Sequence, residues 1–159
     1  MSKMTRDQYY MKLASIAALR GTCDRRQVGA VIVHDDRALA TGFNGAPRGL
    51  PECDQVGHLM EGGHCVRTVH AEANAIMYLG GDTIKRLARS GSEAVTIYTT
   101  TAPCMGCMNL IINSRIQRVV WGSRYSAPSH KSDRMEYAAN AARALNIDWC
   151  NFPMDTLDG

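Results

Sequence analysis

The sequence predicts an α/β protein, a single domain over residues 1–159, whose partly parallel sheet is covered by helices on both faces. Its apolar runs follow the order helix, strand, strand, and then helix and strand in alternation, which favours parallel pairing between the later strands. The chain has 159 residues and is 45% hydrophobic, so it is long and apolar enough to bury one core.

The first part of the chain contains one predicted helix and one predicted hairpin. A capping box at Thr5 and Gln8 indicates where the helix starts. The apolar face predicted for this helix consists of Tyr9, Leu13, Ile16 and Ala17. Residues 27–34 and 38–43 are apolar and β-rich, and they predict two strands that turn at the Asp35–Asp36 pair.

The second part of the chain alternates helix and strand. A stretch from residue 44 to about residue 68 comes first and has no clear periodicity. Three helices are then predicted, from His70 to the Gly80–Gly81 pair, from Cys104 to Arg115, and after a Ser132 cap. The last helix has the apolar stripe Met135, Ala138, Ala139, Ala142 and Leu145. Strands are predicted at 94–100, 118–122 and 147–152.

Composition narrows the class of protein. The net charge of +3 suits anionic small molecules but falls short of the basic surface typical of nucleic-acid binders. No apolar run approaches the ~18 residues that span a bilayer, and the first residues lack a signal-peptide core, so we expect a soluble, cytoplasmic protein. Six cysteines in a reducing compartment indicate metal binding or catalysis rather than disulfides.

Two short stretches, "VHAEANAI" at 69–76 and "APCMGC" at 102–107, carry the predicted chemistry. Cys104 and Cys107 are three residues apart at the predicted start of a helix, where backbone N–H groups favour the thiolate form that binds zinc. With His70 they make three protein ligands and leave the fourth tetrahedral position open for water.

Glu72 separates a catalytic zinc site from a structural one. In the middle of a helix His70 and Glu72 would diverge by roughly 200°, so they converge only if His70 precedes the first turn. A carboxylate there takes a proton from an activated water and passes it on. Alone, "CxxC" is as often a redox pair or a structural zinc half-site as anything else, but "HxE" with "PCxxC" is the signature of zinc deaminases.

The chain resembles the deoxycytidylate deaminase family of the cytidine deaminase-like superfamily over nearly its whole length. The matching segments, in the family's order, are "VGAVIV", "TGFNGAPRG", "HCVRTVHAEANAI" and "APCMGCMNLIINSRIQRVV". The resemblance implies a three-layer α/β/α sandwich around a five-stranded mixed sheet. It also implies zinc-dependent hydrolysis of dCMP to dUMP and ammonia, with Glu72 as the proton carrier.

The resemblance also implies substrate contacts. The backbone near Ala71 and Ala102 would hold the pyrimidine, Asn44 would contact the deoxyribose, and Tyr125 would lie near the nucleotide. Without the resemblance, Asn44 is equally a turn residue and Tyr125 a surface aromatic. The candidate phosphate partners are Arg26, Arg48 and Arg124, because phosphates favour guanidinium groups, although each alone is typical of a solvated charge.

Family members are commonly hexamers that dCTP activates and dTTP inhibits, and the regulatory nucleotide is associated with a "GYNG" motif. This chain has Gly42, Phe43, Asn44 and Gly45 there. Phe43 keeps the ring but lacks the phenol hydroxyl, so stacking survives and a hydrogen bond from that group does not. Mg²⁺ would accompany the regulatory triphosphate.

A second metal site is predicted between the aperiodic stretch and Cys23, which lies just ahead of the first strand. Its predicted ligands are Cys23, Cys53, His58 and Cys65, a closed set typical of structural zinc. Some family members carry such a zinc, with cysteines that match Cys23 and Cys53. His64 competes with Cys65 because neighbouring residues rarely bind one ion, and the alternative is buried free thiols beside a surface histidine. Cys150 is interpreted as a core residue.

Two other functions stay open. A tRNA adenosine deaminase shares the "PCMGC…SRIQRVVWG" pattern, although tRNA binding favours a more basic surface than +3. The other is a nucleotide-binding or DNA-uptake accessory protein that kept the fold without turnover, which the presence of Glu72 argues against.

Overall fold

The computed structural model describes residues 3–124 and 133–158, so Tyr125 and the Ser132 cap lie outside the described residues. The helices are α1 (Arg6–Ala18), α2 (Cys53–Val56), α3 (Ala71–Leu79), α4 (Gly81–Arg89), α5 (Met105–Asn113) and α6 (Asp133–Ala144). The strands are β1 (Gly29–His34), β2 (Arg37–Phe43), β3 (Met60–Glu61), β4 (His64–Cys65), β5 (Thr96–Thr101), β6 (Arg118–Ser123) and β7 (Asp148–Asn151). A 3₁₀ turn over Met154–Asp158 follows β7.

Five strands form one mixed sheet in the order β2-β1-β5-β6-β7. β1 is antiparallel to both β2 and β5, whereas β5, β6 and β7 are parallel to one another. Asp35 and Asp36, both at positive φ, turn the chain between β1 and β2. The predicted five-stranded mixed sheet is therefore confirmed, and the carboxyl ends of β5 and β6 lie at the same edge of the sheet.

Helices cover both faces of this sheet because successive residues of each strand point to opposite sides. On β1, Ile32 belongs to the core cluster on the face covered by α3, α5 and α6, whereas its neighbours Val31 and Val33 belong to the cluster on the face covered by α1. This is the predicted three-layer arrangement. No helix in the described parts of the chain is long and apolar enough to cross a membrane.

The buried face of α1 differs from the prediction. The capping box at Thr5 and Gln8 is present. The buried residues of the helix are Tyr10, Met11, Ala14, Ala17 and Ala18. Tyr9 and Ile16, placed on the predicted face, are 50% and 62% exposed, so that part of the prediction was wrong. A Cβ at Gly29 would collide with the carbonyl oxygen of Ala14, so only small side chains fit where α1 crosses β1.

Three short elements were not predicted. Helix α2 and the β3–β4 hairpin lie in the aperiodic stretch, and α4 follows α3 immediately. Gly80, at a φ of 87°, ends α3 as predicted, and its carbonyl then accepts the first hydrogen bond of α4, from Ile84 N. Leu145, placed on the predicted stripe of the last helix, lies beyond the end of α6 and is 53% exposed, whereas Ala138 and Ala142 are buried.

Candidate metal centre

Two helix N-termini bring the predicted donors to one edge of the sheet. His70 is the residue before α3, and its φ of −68° and ψ of 153° keep it extended. Cys104 occupies the same position before α5, with φ −70° and ψ 170°. Because neither residue is wound into its helix, the first-turn side chains Glu72 and Cys107 reach the same space as the two capping residues.

The distances between the three donors fit one zinc ion. His70 Nδ1 lies 3.5 Å from Cys104 Sγ and 3.4 Å from Cys107 Sγ. Zinc bonds of about 2.0 Å to nitrogen and 2.3 Å to sulfur at tetrahedral angles would separate the two donor atoms by about 3.5 Å. Cys107 is buried, whereas His70 and Cys104 are exposed, so one side of the group faces solvent. Three donors with an open side are typical of a catalytic zinc site rather than a structural one.

The protonation preferences of these groups suit metal binding. Hydrogen bonding from the Cys107 thiol, with help from His70 and the Cys107 backbone N–H, lowers the pKa of Cys104 to about 3. A thiolate at Cys104 is therefore favoured, as expected at a helix N-terminus. Cys107 itself has a raised pKa because it shares a proton with Cys104 and is buried.

Glu72 is 3% exposed, and its Oε2 lies 3.5 Å from Cys107 Sγ. Burial raises the pKa of this carboxyl group, although the positive charge of nearby His70 acts in the opposite direction. A carboxyl group with a raised pKa has protonated and ionised forms that are closer in free energy near neutral pH than they are for an exposed carboxyl group. Such a group is suited to accept and then release a proton.

Among the predicted substrate residues that the structure describes, Asn44 and Arg26 lie at the same edge, and both are hydrogen-bonded to backbone. Asn44 is 7% exposed; its Oδ1 accepts a hydrogen bond from Val28 N at 2.7 Å, and its Nδ2 donates to the Arg26 carbonyl at 2.7 Å. The Arg26 guanidinium donates to Ser123 Oγ at 3.3 Å and to the Arg124 carbonyl at 3.1 Å. These contacts hold the segment before β1 against the end of β6.

The other predicted substrate residues differ in exposure. Ala71 and Ala102 are buried beside the residues that carry the donors, while Arg48 is exposed in the loop after β2. Their contacts with a substrate stay predictions, as does any contact of Tyr125.

The four residues assigned to the regulatory nucleotide are not equally accessible. Gly42 is buried, and a Cβ there would collide with Ala71 O and Ala75 N of α3. Phe43 is half-buried and lines a groove of about 350 Å³ between the end of α1 and α2. The charged residues of this groove are Arg20, Asp24, Glu52 and Asp54. Gly45 is buried, and its backbone pairs with Val69.

The four residues predicted for a second metal site converge. The donor atoms of Cys23, Cys53, His58 and Cys65 lie within 4.8 Å of one another. Cys23 Sγ is 3.6 Å from His58 Nδ1, and Cys53 Sγ is 3.6 Å from Cys65 Sγ. His64, the competing candidate, is not in this group. Four donors of these types match the closed ligand sets of structural zinc.

Two features of the second cluster favour metal binding, namely the lowered pKa of Cys65 and the contact between Asp24 and His58. Burial raises the pKa of Cys53 to about 12, whereas Cys65, despite its own burial, has its pKa lowered to about 6 by hydrogen bonds from the Arg67 backbone and from His58. Asp24 Oδ1 lies 3.1 Å from His58 Nε2, so the ring turns its other nitrogen toward the cysteines. Such a carboxylate–histidine pair commonly orients a metal ligand.

Sequence reasoning missed Asp24 and Asn74. Asp24 follows Cys23 directly, and this adjacency was the available signal. Asn74 lies inside the "HAEANAI" segment, but its side chain bonds to the carbonyl of Phe43, which is distant in sequence and shows no pattern that predicts the contact.

Comparison with known proteins identifies relatives. Residues 4–123 match the family model described as the cytidine and deoxycytidylate deaminase zinc-binding region. ComE operon protein 2 of Bacillus subtilis (strain 168) is 34% identical over 148 residues, which cover 93% of this chain and 75% of that protein. The deoxycytidylate deaminase of Mycobacterium phage D29 is 38% identical over 133 residues, which cover 76% of this chain and 97% of that protein.

A solved structure shares the fold. It is the crystal structure of dCMP deaminase from the cyanophage S-TIM5 in complex with dCMP and dUMP, which aligns with a TM-score of 0.69 at 23% identity. The alignment covers 96% of this chain and 100% of the other.

Proposed function

This chain belongs to the cytidine and deoxycytidylate deaminase family, and we propose that it is a zinc-dependent enzyme that hydrolyses dCMP to dUMP and ammonia. The observation that carries the proposal is the open three-donor group of His70, Cys104 and Cys107, with the buried Glu72 beside it. A structural zinc site has four protein ligands and no role for an additional buried carboxyl group, so Glu72 favours a catalytic site.

His70, Cys104 and Cys107 would hold the zinc ion, which would supply an activated water at neutral pH. Glu72 accepts a proton from that water at a carboxylate oxygen and delivers it to the ring nitrogen next to the amino-bearing carbon. The deprotonated water oxygen bonds to the amino-bearing carbon. A second proton, from the hydroxyl group that this addition places on the carbon, passes through the same carboxyl group to the amino group, and the C–N bond then breaks to release ammonia. Burial of Glu72 keeps bulk water away from the carried proton.

The surrounding residues would bind the nucleotide. The backbone near Ala71 and Ala102 holds the pyrimidine, and Asn44 contacts the deoxyribose. The phosphate pairs with guanidinium groups from Arg26, Arg48 and Arg124, and Tyr125 lies near the nucleotide. The position of Arg26 and Asn44 at the same edge as the donor group supports this part of the proposal.

A substrate panel tests the activity. Ammonia release is measured with cytidine, deoxycytidine, CMP, dCMP, dCTP and a tRNA anticodon stem-loop. We expect the highest kcat/KM with dCMP. Preference for the stem-loop would indicate an adenosine deaminase, and no ammonia from any cytosine or adenine nucleotide would indicate a binding protein without turnover.

The second cluster is proposed to hold a structural zinc ion, and its four-donor composition supports this. Metal analysis of the purified protein should give two zinc ions per chain, and Cys53→Ser should reduce the value to one. One zinc ion per chain in a protein with Cys104 and Cys107 intact would reject the second site.

Regulation by dCTP and dTTP is proposed at the groove beside Phe43. Three carboxylates and one guanidinium line this groove, so a triphosphate would need a divalent cation such as Mg²⁺ to bind there. Formation of dUMP is measured against added dCTP and dTTP, with and without Mg²⁺. The absence of any response would remove this part of the proposal.

The proposal also covers assembly and location. We infer that the chain acts in the cytoplasm as a single domain over residues 1–159 that assembles into a hexamer. Light scattering of the purified protein should then give six times the 17.4 kDa mass of one chain. A stable monomer at working concentration would contradict the hexamer.

A further inference from the structure

The side-chain amide of Asn74 joins three parts of the chain next to the donor group. We infer that Asn74 is a positioning residue, which sets the orientation of His70 by holding the peptide before it, and this inference rests on the proposed function. Asn74 lies half-buried one turn into α3, and its backbone N donates to the His70 carbonyl at 3.0 Å. Its side chain points back toward the start of the helix.

The amide contacts two backbone carbonyls that belong to different segments. Nδ2 donates to the Phe43 carbonyl at 2.8 Å, at the end of β2, and to the Val69 carbonyl at 3.4 Å. Each N–H of an asparagine amide can serve one acceptor, so a single side chain ties the end of β2 to the residue before His70.

The Val69 peptide is held from a second direction. Gly45 N donates to the Val69 carbonyl at 3.1 Å, and Val69 N donates to the Gly45 carbonyl at 2.9 Å. The Val69 carbonyl therefore accepts from both Gly45 and Asn74. Two donors on one carbonyl restrict the plane of the Val69–His70 peptide. This plane, together with the φ of −68° at His70, sets the direction in which the His70 side chain leaves the backbone.

The contact of α3 with Gly42 sets how closely the helix approaches β2, because no Cβ fits between them. Apolar contact is non-directional, whereas a hydrogen bond has a preferred angle, so the Asn74 amide adds a directional constraint to this packing. His70 precedes the helix and has no side-chain capping bond of its own, so its position depends on the peptide that Asn74 holds.

The test compares Asn74→Asp with the wild-type protein. Aspartate has the same shape but, when ionised, donates no hydrogen bond and faces two carbonyl oxygens. In protein loaded with cobalt in place of zinc, we expect the absorption bands of the His70 site to shift or broaden. For dCMP, kcat should fall about a hundredfold, the cost of a displacement of about 1 Å, with a smaller change in KM.

Asn140→Ala is the matched control, since Asn140 is an exposed helical asparagine on α6 whose side chain accepts a hydrogen bond from the exposed Arg143 guanidinium. It should leave the cobalt spectrum and the kinetics unchanged. If Asn74→Asp does not fold, Asn74→Ser is tested in its place. The serine side chain is too short for its hydroxyl group to reach both the Phe43 and the Val69 carbonyls.

A variant that is less stable but has the wild-type cobalt spectrum and kcat would overturn the inference, since that result indicates a merely structural role. The cobalt spectrum does not depend on turnover. If the wild-type protein is inactive on dCMP, the proposed function is rejected, but the spectra of the wild type and Asn74→Asp still test whether Asn74 orients His70.

Discussion

Glu72 is almost completely buried, and the only side chain within hydrogen-bonding distance of its carboxylate among the described residues is the Cys107 thiol. We expect Glu72→Ala to retain zinc, because His70, Cys104 and Cys107 are unchanged, and to lose turnover by about 10²–10⁴-fold, the usual contribution of a general acid–base group. Metal analysis and ammonia release from dCMP measure the two effects. Activity within tenfold of the wild type would contradict the role of Glu72 as proton carrier.

The control for this prediction is Glu136→Ala, which removes an exposed carboxylate from α6. It should leave both the zinc content and the rate unchanged.

Single residues differed in how well the sequence predicted them. Helix geometry allowed His70 and Glu72 to converge only if His70 preceded the first turn, and the structure has His70 in this extended conformation. Asn44 was a turn residue in the pattern "NG", and no local rule predicts that its amide bonds to Val28 and Arg26, which precede it by a whole hairpin.

Between elements, Arg118 connects helix α1 to the parallel strands at the edge opposite the donor group. Its guanidinium donates to both carboxylate oxygens of Asp7 at 2.8 Å and to Asp148 at 2.8 Å. Tyr98 OH donates to Asp7 Oδ1 at 2.7 Å. The hydrogen bond from Arg118, with that from Tyr98, lowers the pKa of the Asp7 carboxyl group.

Asp7→Asn should lower the free energy of unfolding by about 1–3 kcal/mol near neutral pH, because Arg118 and Tyr98 lose a charged acceptor. A carboxyl group with a lowered folded-state pKa stabilises the fold above its unfolded pKa of about 3.9, and this stabilisation is lost as the pH falls through the folded value. Urea unfolding of both proteins should therefore give curves that approach each other in acid. A difference that stays constant across the pH range would contradict this account.

The contact of β2 with α3 depends on Gly42. The additional methyl group of Gly42→Ala would meet backbone atoms of Ala71 and Ala75, which cannot move without moving the helix that follows His70. We expect a loss of about 1–3 kcal/mol in the free energy of unfolding, typical of an overpacked core, together with a lower zinc affinity.

Gly81→Ala at the start of α4 is the matched control for Gly42→Ala. Its new methyl group would only make ordinary contact with Ser114 Oγ at 3.9 Å, so stability should be unchanged or slightly higher. Equal stability of both variants, measured by urea unfolding, would contradict the close approach of β2 and α3.

The strands of the main sheet were predictable because buried β-rich runs are distinctive, and the helical face of α1 was not. Its large side chains Tyr9 and Ile16 suggested an inward face, but the close approach of β1 selects alanines, a constraint that only the assembled sheet reveals. Helix α4 was missed because Gly80 and Gly81 were interpreted as a stop, whereas the pair also begins a new helix.

At the scale of the whole molecule, the cluster of Cys23, Cys53, His58 and Cys65 attaches the stretch at 44–68 to the segment before β1. This stretch has one short helix and a two-stranded hairpin, so we expect its order to depend on an ion bound by the cluster. Loop segments without such a link are preferred sites of proteolysis.

Cys53→Ser should therefore lower Tm by roughly 4–8 °C, corresponding to a loss of about 2 kcal/mol, and should expose residues 44–68 to proteolysis. Cys104→Ser should abolish turnover but leave this stretch resistant. Limited proteolysis with mass spectrometry distinguishes the two patterns, and identical cleavage of both variants would contradict a structural role for the second cluster.

All six cysteines lie in the described part of the chain, and Cys150 alone belongs to neither cluster. Burial and the Asp148 carboxylate raise the pKa of Cys150, so it should be alkylated slowly and by itself when both clusters are metal-loaded. Release of the ion at His70 would add two labels, and release at His58 would add three, because the clusters contain two and three cysteines. The mass of the alkylated chain would thus report which of the two ions had left.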